Sequence, residues 1–122
     1  MTHKPKDLEV PPSNAKPLDL KLFRFATKPN PDGDDFLPSC IDPTQKHMWG
    51  TRHLLPAFHG TSFFNSKKAA EDLKARLPNK FKDSTLTAGS INNTHGVGHE
   101  GSSGHVTIWF NFDVFPAGFK PV

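Results

Sequence analysis

His105-Val106-Thr107-Ile108-Trp109-Phe110-Asn111-Phe112-Asp113-Val114-Phe115 reads HVTIWFNFDVF. Val106, Ile108, Phe110, Phe112 and Val114 fall at every second position, the period of a strand with one apolar face. His105, Thr107, Trp109, Asn111 and Asp113 take the other face. Pro116 and Gly118 then punctuate the chain. The spacing predicts a strand over 106–114, and a strand this apolar needs a sheet around it and a layer to cover it.

The residues just before it, NTHGVGHEGSSGH (93–105), hold three histidines and four glycines. His95 and His99 have the i, i+4 spacing of a helical metal site, but Gly96, Gly98 and Gly101 oppose a helix. His99-Glu100 does not continue into the His-Glu-x-x-His pattern of a metalloprotease helix. Gly96-Val97-Gly98-His99-Glu100-Gly101 matches Gly-x-Gly-x-x-Gly in letters, yet a dinucleotide fingerprint is followed by a helix and this one is followed by a strand. The stretch is therefore expected to be a flexible, glycine-rich connection with no metal ligand assigned, although a loop can still wrap a metal with His47, His53 or His59 completing the set.

Further upstream, Leu18-Asp19-Leu20-Lys21-Leu22-Phe23-Arg24-Phe25-Ala26 forms a strand whose alternation shifts phase at Phe23. A β-bulge or burial on both faces would produce that shift. Arg24 then lies in a largely apolar strand and needs a partner. Ala57–Phe64 reads as a second strand. Asn65 or Ser66 caps a helix over 67–77, with Ala69, Ala70, Leu73 and Leu77 on one face and Pro78 ending it. Residues 84–91 give another short strand. Residues 27–57 read as a long proline-punctuated loop with a helical turn near 43–49, and Asp32, Asp34 and Asp35 read as turn-makers rather than a calcium loop. This order predicts a single α+β domain over 18–122, with a mostly antiparallel sheet and one main helix. Residues 1–17, with Pro5, Pro11, Pro12 and Pro17, form an extended proline-rich arm.

The bulk numbers limit the function. The chain has 122 residues, enough for one domain with a modest core, and 34% of them are hydrophobic. Its 11 phenylalanines and two tryptophans, with no tyrosine, must supply much of that core. The net charge is +3, but lysines dominate and are scattered, which gives no specific nucleic-acid signature. One cysteine, Cys40, excludes an internal disulfide. No apolar run approaches the roughly 18 residues of a membrane span and no leader-like run opens the chain, so a soluble cytoplasmic protein is expected. Gly-x-Ser-x-Gly is lacking.

Leu22-Phe23-Arg24-Phe25, His59-Gly60-Thr61 and Ser62-Phe63-Phe64-Asn65-Ser66 leading to Ala69-Ala70 together resemble the mono-ADP-ribosyltransferase superfamily and the RES-type NAD-degrading toxins that share its fold. The resemblance implies a small bacterial or phage protein that binds or consumes NAD, in active or degenerate form. It implies that His59, Gly60 and Thr61 hold the nicotinamide end. In the family's other version, Arg24 binds the phosphates and Ser62 supports the site. A late carboxylate would stabilise the ribosyl transition state, and Glu100 and Asp113 are the candidates. Phe63, Phe64 or Trp109 would stack on the nicotinamide. A different reading is a non-catalytic, protein-binding or inhibitory module that uses residues 1–17, an exposed Trp49 and the edge of the 106–114 strand.

Overall fold

The computed structural model describes residues 8–52, 54–112 and 114–122. Six strands form one sheet: β1 (Leu20–Ala26), β2 (Thr61–Phe64), β3 (Thr85–Ile91), β4 (Gly96–Glu100), β5 (His105–Phe110) and β6 (Lys120–Pro121). Their order across the sheet is β4-β5-β2-β1-β3-β6, and every pairing is antiparallel. The helices are α1 (Trp49–Arg52), α2 (Lys67–Arg76) and α3 (Pro78–Phe81). This is the expected α+β class.

β1 shows why its hydrophobic pattern changes phase. It pairs with β3 without interruption from Leu20↔Ile91 to Ala26↔Thr85, so no bulge is present. Instead both faces carry apolar side chains. Leu22 packs on one side with Phe63, Ile91, Val106 and Ile108. Phe36, from the 3-10 turn Gly33–Phe36, and Phe119, from the C-terminal segment, close it, with ring centroids 5.1 Å apart. Phe25 lies on the opposite face and stacks on Phe81 of α3 at 4.4 Å. Ser66 caps α2, its hydroxyl accepting from the Ala69 amide at 3.1 Å. Ala70 is the helix's fully buried residue. Pro78 ends α2 but occupies the first turn of α3, where its missing N–H costs nothing.

The final strand is shorter than its alternation suggests. β5 stops at Phe110, opposite Gly96, which is the first residue of β4. Beyond the Asn111 amide, which donates to the His95 carbonyl at 2.8 Å, no strand among the described residues pairs with the chain. Phe112 accordingly leaves the sheet and is 94% exposed, and the Val114 amide turns back to the Asn111 carbonyl. The second strand also shortens: 56–59 is a 3-10 turn, and the strand runs over Thr61–Phe64.

Part of the glycine-rich stretch expected to be a flexible connection is a strand, β4. Residues 96–100 pair with β5 along their whole length. Glycine is needed because neighbours crowd the pleat. A Cβ on Gly98 would come within 2.6 Å of Ile108 Cδ1 and 2.8 Å of Leu18 Cδ1. His95 serves the turn before β4, its Nδ1 accepting from the Asn92 amide at 3.0 Å. Of the N-terminal arm, Lys16 exchanges two backbone hydrogen bonds with Gly98, of 2.9 and 2.8 Å.

A similar close approach fixes β3. A Cβ at Gly89 would overlap the Phe119 ring. Gly89→Ala is expected to destabilise the fold by about 1–3 kcal/mol, as overpacking does. Gly101→Ala, where the nearest atom to the new carbon is the His105 carbonyl oxygen at 3.5 Å, should stay within about 0.5 kcal/mol. Urea unfolding of the two variants beside the parent measures both.

Candidate functional site

β1 and β2 share a single Cα pair, Phe23↔Phe64. The register would place Arg24 opposite Phe63 and Phe25 opposite Ser62, but the ladder does not continue. The Arg24 side chain occupies the opening. Its Nη1 donates to the Ser62 carbonyl at 2.7 Å, its Nε to the Asp35 carbonyl at 2.6 Å, and its Nη2 faces Asp42 Oδ2 at 3.4 Å. A guanidinium can do this because its five N–H groups form a rigid fork. Its side chain is 13% exposed. Burial lowers its pKa, and the nearby Asp42 and Asp35 carboxylates act in the opposite direction.

A cavity of about 660 Å³ opens at this split. Phe25, Phe58, Phe64, Leu73 and Phe81 give it apolar walls, and Arg24, Ser62, Ser84 and His105 supply polar groups. Both its size and its mixture suit a small-molecule site. His105 presents its imidazole edge-on to Phe64 at 6.2 Å, and burial pushes its pKa down, which favours a neutral ring. Arg52 and Lys80 also line the cavity. Burial lowers the Lys80 pKa, Asp42 raises it, and the charge of Arg52 lowers it further.

Two aspartates hold the loop under the cavity. Asp35 Oδ1 accepts from the Thr27 amide at 2.8 Å and from its hydroxyl at 2.6 Å. Oδ2 is buried without a hydrogen bond, with Lys28 Nζ 3.5 Å away. Burial pushes this carboxyl up, but the Thr27 bonds and Lys28 together outweigh burial and leave its pKa below the ordinary value. The turn reading therefore fits Asp32, whose carboxylate accepts from the Asp34 amide, whereas Asp35 is a buried anchor. Cys40 is half-buried and its thiol pKa is raised by burial, as in an unreactive cysteine.

The residues singled out in the sequence separate into two groups. Arg24 and Ser62 meet at the cavity, with Phe64 beside them. His59 ends the 3-10 turn Pro56–His59 and is half-buried, outside the lining. Gly60 sits under Thr107 Cγ2 and the Trp109 indole, where a Cβ would not fit. Thr61 is buried, its hydroxyl donating to the Phe36 carbonyl at 2.7 Å, and Phe63 belongs to the core on that side. Trp109 donates its indole N–H to the Pro56 carbonyl at 3.1 Å. Glu100 is exposed at the end of β4, opposite Val106, and does not line the cavity. Asp113 lies outside the described residues. Trp49 is half-buried and donates to the Ser39 carbonyl at 3.0 Å. The strand expected to offer a free edge, β5, is flanked by β4 and β2. Among the described residues no group of three or more His, Cys, Asp or Glu is placed to hold a metal ion, and no helix is long and apolar enough to cross a membrane.

No family model, curated protein or solved structure matches the chain. The functional reading therefore rests on the residues themselves. Asp42, Arg52, Lys80 and Phe81 are among the cavity residues that sequence patterning did not single out for function. The one signal that pointed toward any of them was the need of Arg24 for a partner.

Arg24→Met removes the donors to three loop and strand acceptors and leaves Asp42 without its guanidinium. A loss of about 3–5 kcal/mol is expected, and Arg24→Lys should recover only part of it because an ammonium lacks the fork. Chemical denaturation measures both. Asp35 gives a pH signature. Its folded pKa is depressed, so its contribution is complete above the ordinary aspartate value of about 3.9 and disappears as pH falls through the lower folded value. The stability gap between the parent and Asp35→Asn should shrink on acidification across that window. A gap that is flat or widens there would exclude the assignment.

Proposed function

We propose that the chain binds a nucleotide-type ligand in the cavity at the β1–β2 split, and that NAD is the ligand, as its resemblance to ADP-ribosyltransferase-like proteins implies. The observation that carries this reading is the convergence of Arg24 and Ser62 on one cavity with aromatic walls. These two residues lie 38 positions apart in sequence, and a hydrogen bond joins them at the split. Ser62 also lines the cavity. Phe25, Phe64 and Phe81 give a planar ring an apolar wall.

The geometry favours binding over turnover. The carboxylates of the cavity wall are Asp34, Asp35 and Asp42. Asp35 is committed to Thr27 and Lys28, and Asp42 faces Arg24. Glu100, the described candidate for stabilising a ribosyl cation, lies outside the lining. A domain that retains the binding half of the machinery accounts for this arrangement. The protein-binding alternative has less support, because Trp49 is tethered, β5 is interior and Lys16 already bonds to the outer side of β4.

Titration calorimetry and thermal unfolding with NAD and ADP-ribose test the reading. Both ligands should raise the melting temperature. Phe81→Ala should weaken NAD binding roughly tenfold through loss of an aromatic contact. Absence of heat and of any thermal shift with either ligand would refute it.

A further inference from the structure

The charges that line the cavity cancel. Arg24, Arg52 and Lys80 stand against Asp34, Asp35 and Asp42, three cations and three carboxylates, and Arg24 faces Asp42 at 3.4 Å. Net charge therefore gives the site little power to choose a ligand. The lining also holds an ionisable group of a different kind, His105. It opens β5 directly opposite Phe64 of β2, so the two side chains share the cavity face of the sheet. Its backbone is fixed on both sides: the amide donates to the Ser102 carbonyl, and the carbonyl accepts from the Gly101 amide at 2.8 Å. The imidazole stands at 88° to the Phe64 ring, with centroids 6.2 Å apart. Its nitrogens form no hydrogen bond with a described residue. Burial alone lowers its pKa, so at neutral pH the ring is uncharged and carries one donor and one acceptor.

We propose that His105 selects the ligand of this cavity: its ring hydrogen-bonds to an uncharged polar group, a hydroxyl or an amino group, on the rim of an aromatic ring seated against Phe64. A planar ligand parallel to Phe64 also stands perpendicular to the imidazole, which lets a substituent on its rim approach a ring nitrogen. The imidazole loses water when the cavity fills. A ligand of the same shape without the polar group leaves a nitrogen unpaired, and that difference is the basis of selection.

The proposal rests on the cavity being a ligand site. Phenol and toluene test it, because they are uncharged, nearly identical in shape and differ by one hydroxyl. Both are titrated by NMR, with labelled histidine rings as reporters, into the parent, His105→Phe and His105→Gln. The parent should bind phenol at least about tenfold more tightly than toluene, with the His105 signal moving most among the histidines. His105→Phe keeps a ring opposite Phe64 without the nitrogens, and should lose the preference while binding toluene as the parent does. His105→Gln retains a hydrogen-bonding group and should retain part of it. If His105→Phe does not fold, His105→Leu takes its place. Equal affinities in the parent, a preference that survives loss of the nitrogens, a response confined to other histidines, or no binding of either compound overturns the role of His105. NAD is titrated in parallel. A phenol preference that depends on His105, with no response to NAD, upholds that role and rejects the NAD reading. NAD binding by a parent that shows no phenol preference does the reverse.

Discussion

The Arg24 guanidinium joins two halves of a sheet that their backbones barely connect. On one side stand β4, β5 and β2, and on the other β1, β3 and β6. Between them the Cα register contains a single pair. A split of this kind leaves polar backbone groups exposed to the interior, and each would be costly without a partner. Arg24 satisfies the Ser62 carbonyl on the far half and the Asp35 carbonyl of the loop beneath. It thus fixes the width of the opening and the position of the loop together. The cavity exists because this contact is a side chain and not a ladder.

The two faces of the sheet are covered in different ways, and this places the cavity. One face is sealed by the phenylalanines of the 3-10 turn and the C-terminal segment, which interlock with Phe63 and leave no room. On the other face Phe25 stacks on Phe81 of α3, and the 27–58 loop, which also carries Phe36, borders the cavity. The loop is tied down at a few polar points: Thr27 to Asp35, Trp49 to Ser39, Trp109 to Pro56. Polar ties between spaced points leave volume between them, whereas ring-to-ring packing fills it.

Much of this arrangement was legible in the residues. Helix α2, strand β3, the α+β class and the burial of Arg24 follow from spacing, capping and the cost of an unpaired charge. The glycine-rich stretch was not legible. Gly96, Gly98 and Gly101 look like flexibility, and the reason for glycine at 98, Leu18 and Ile108 pressing on its backbone, lies in tertiary contacts that no local window contains. The end of β5 has the same cause: Phe112 keeps the alternation, but β4 begins only at Gly96 and offers it nothing to pair with. At the site, Arg24 could be singled out by type, and Ser62 only through the family resemblance. Lys80 and Phe81 could not, because α3 carries no pattern of its own and takes its meaning from the ring of Phe25.

The link between Lys16 and Gly98 is small, two hydrogen bonds at one residue pair, but it lies on the outer edge of β4. An unpaired outer strand is a template on which another chain can add itself. By pairing with Gly98 at the middle of β4, the arm occupies the stretch where a foreign strand would need a continuous row of donors and acceptors. Without that pair the amide and carbonyl of Gly98 would lose their partners on the outer side of β4, in the middle of the strand.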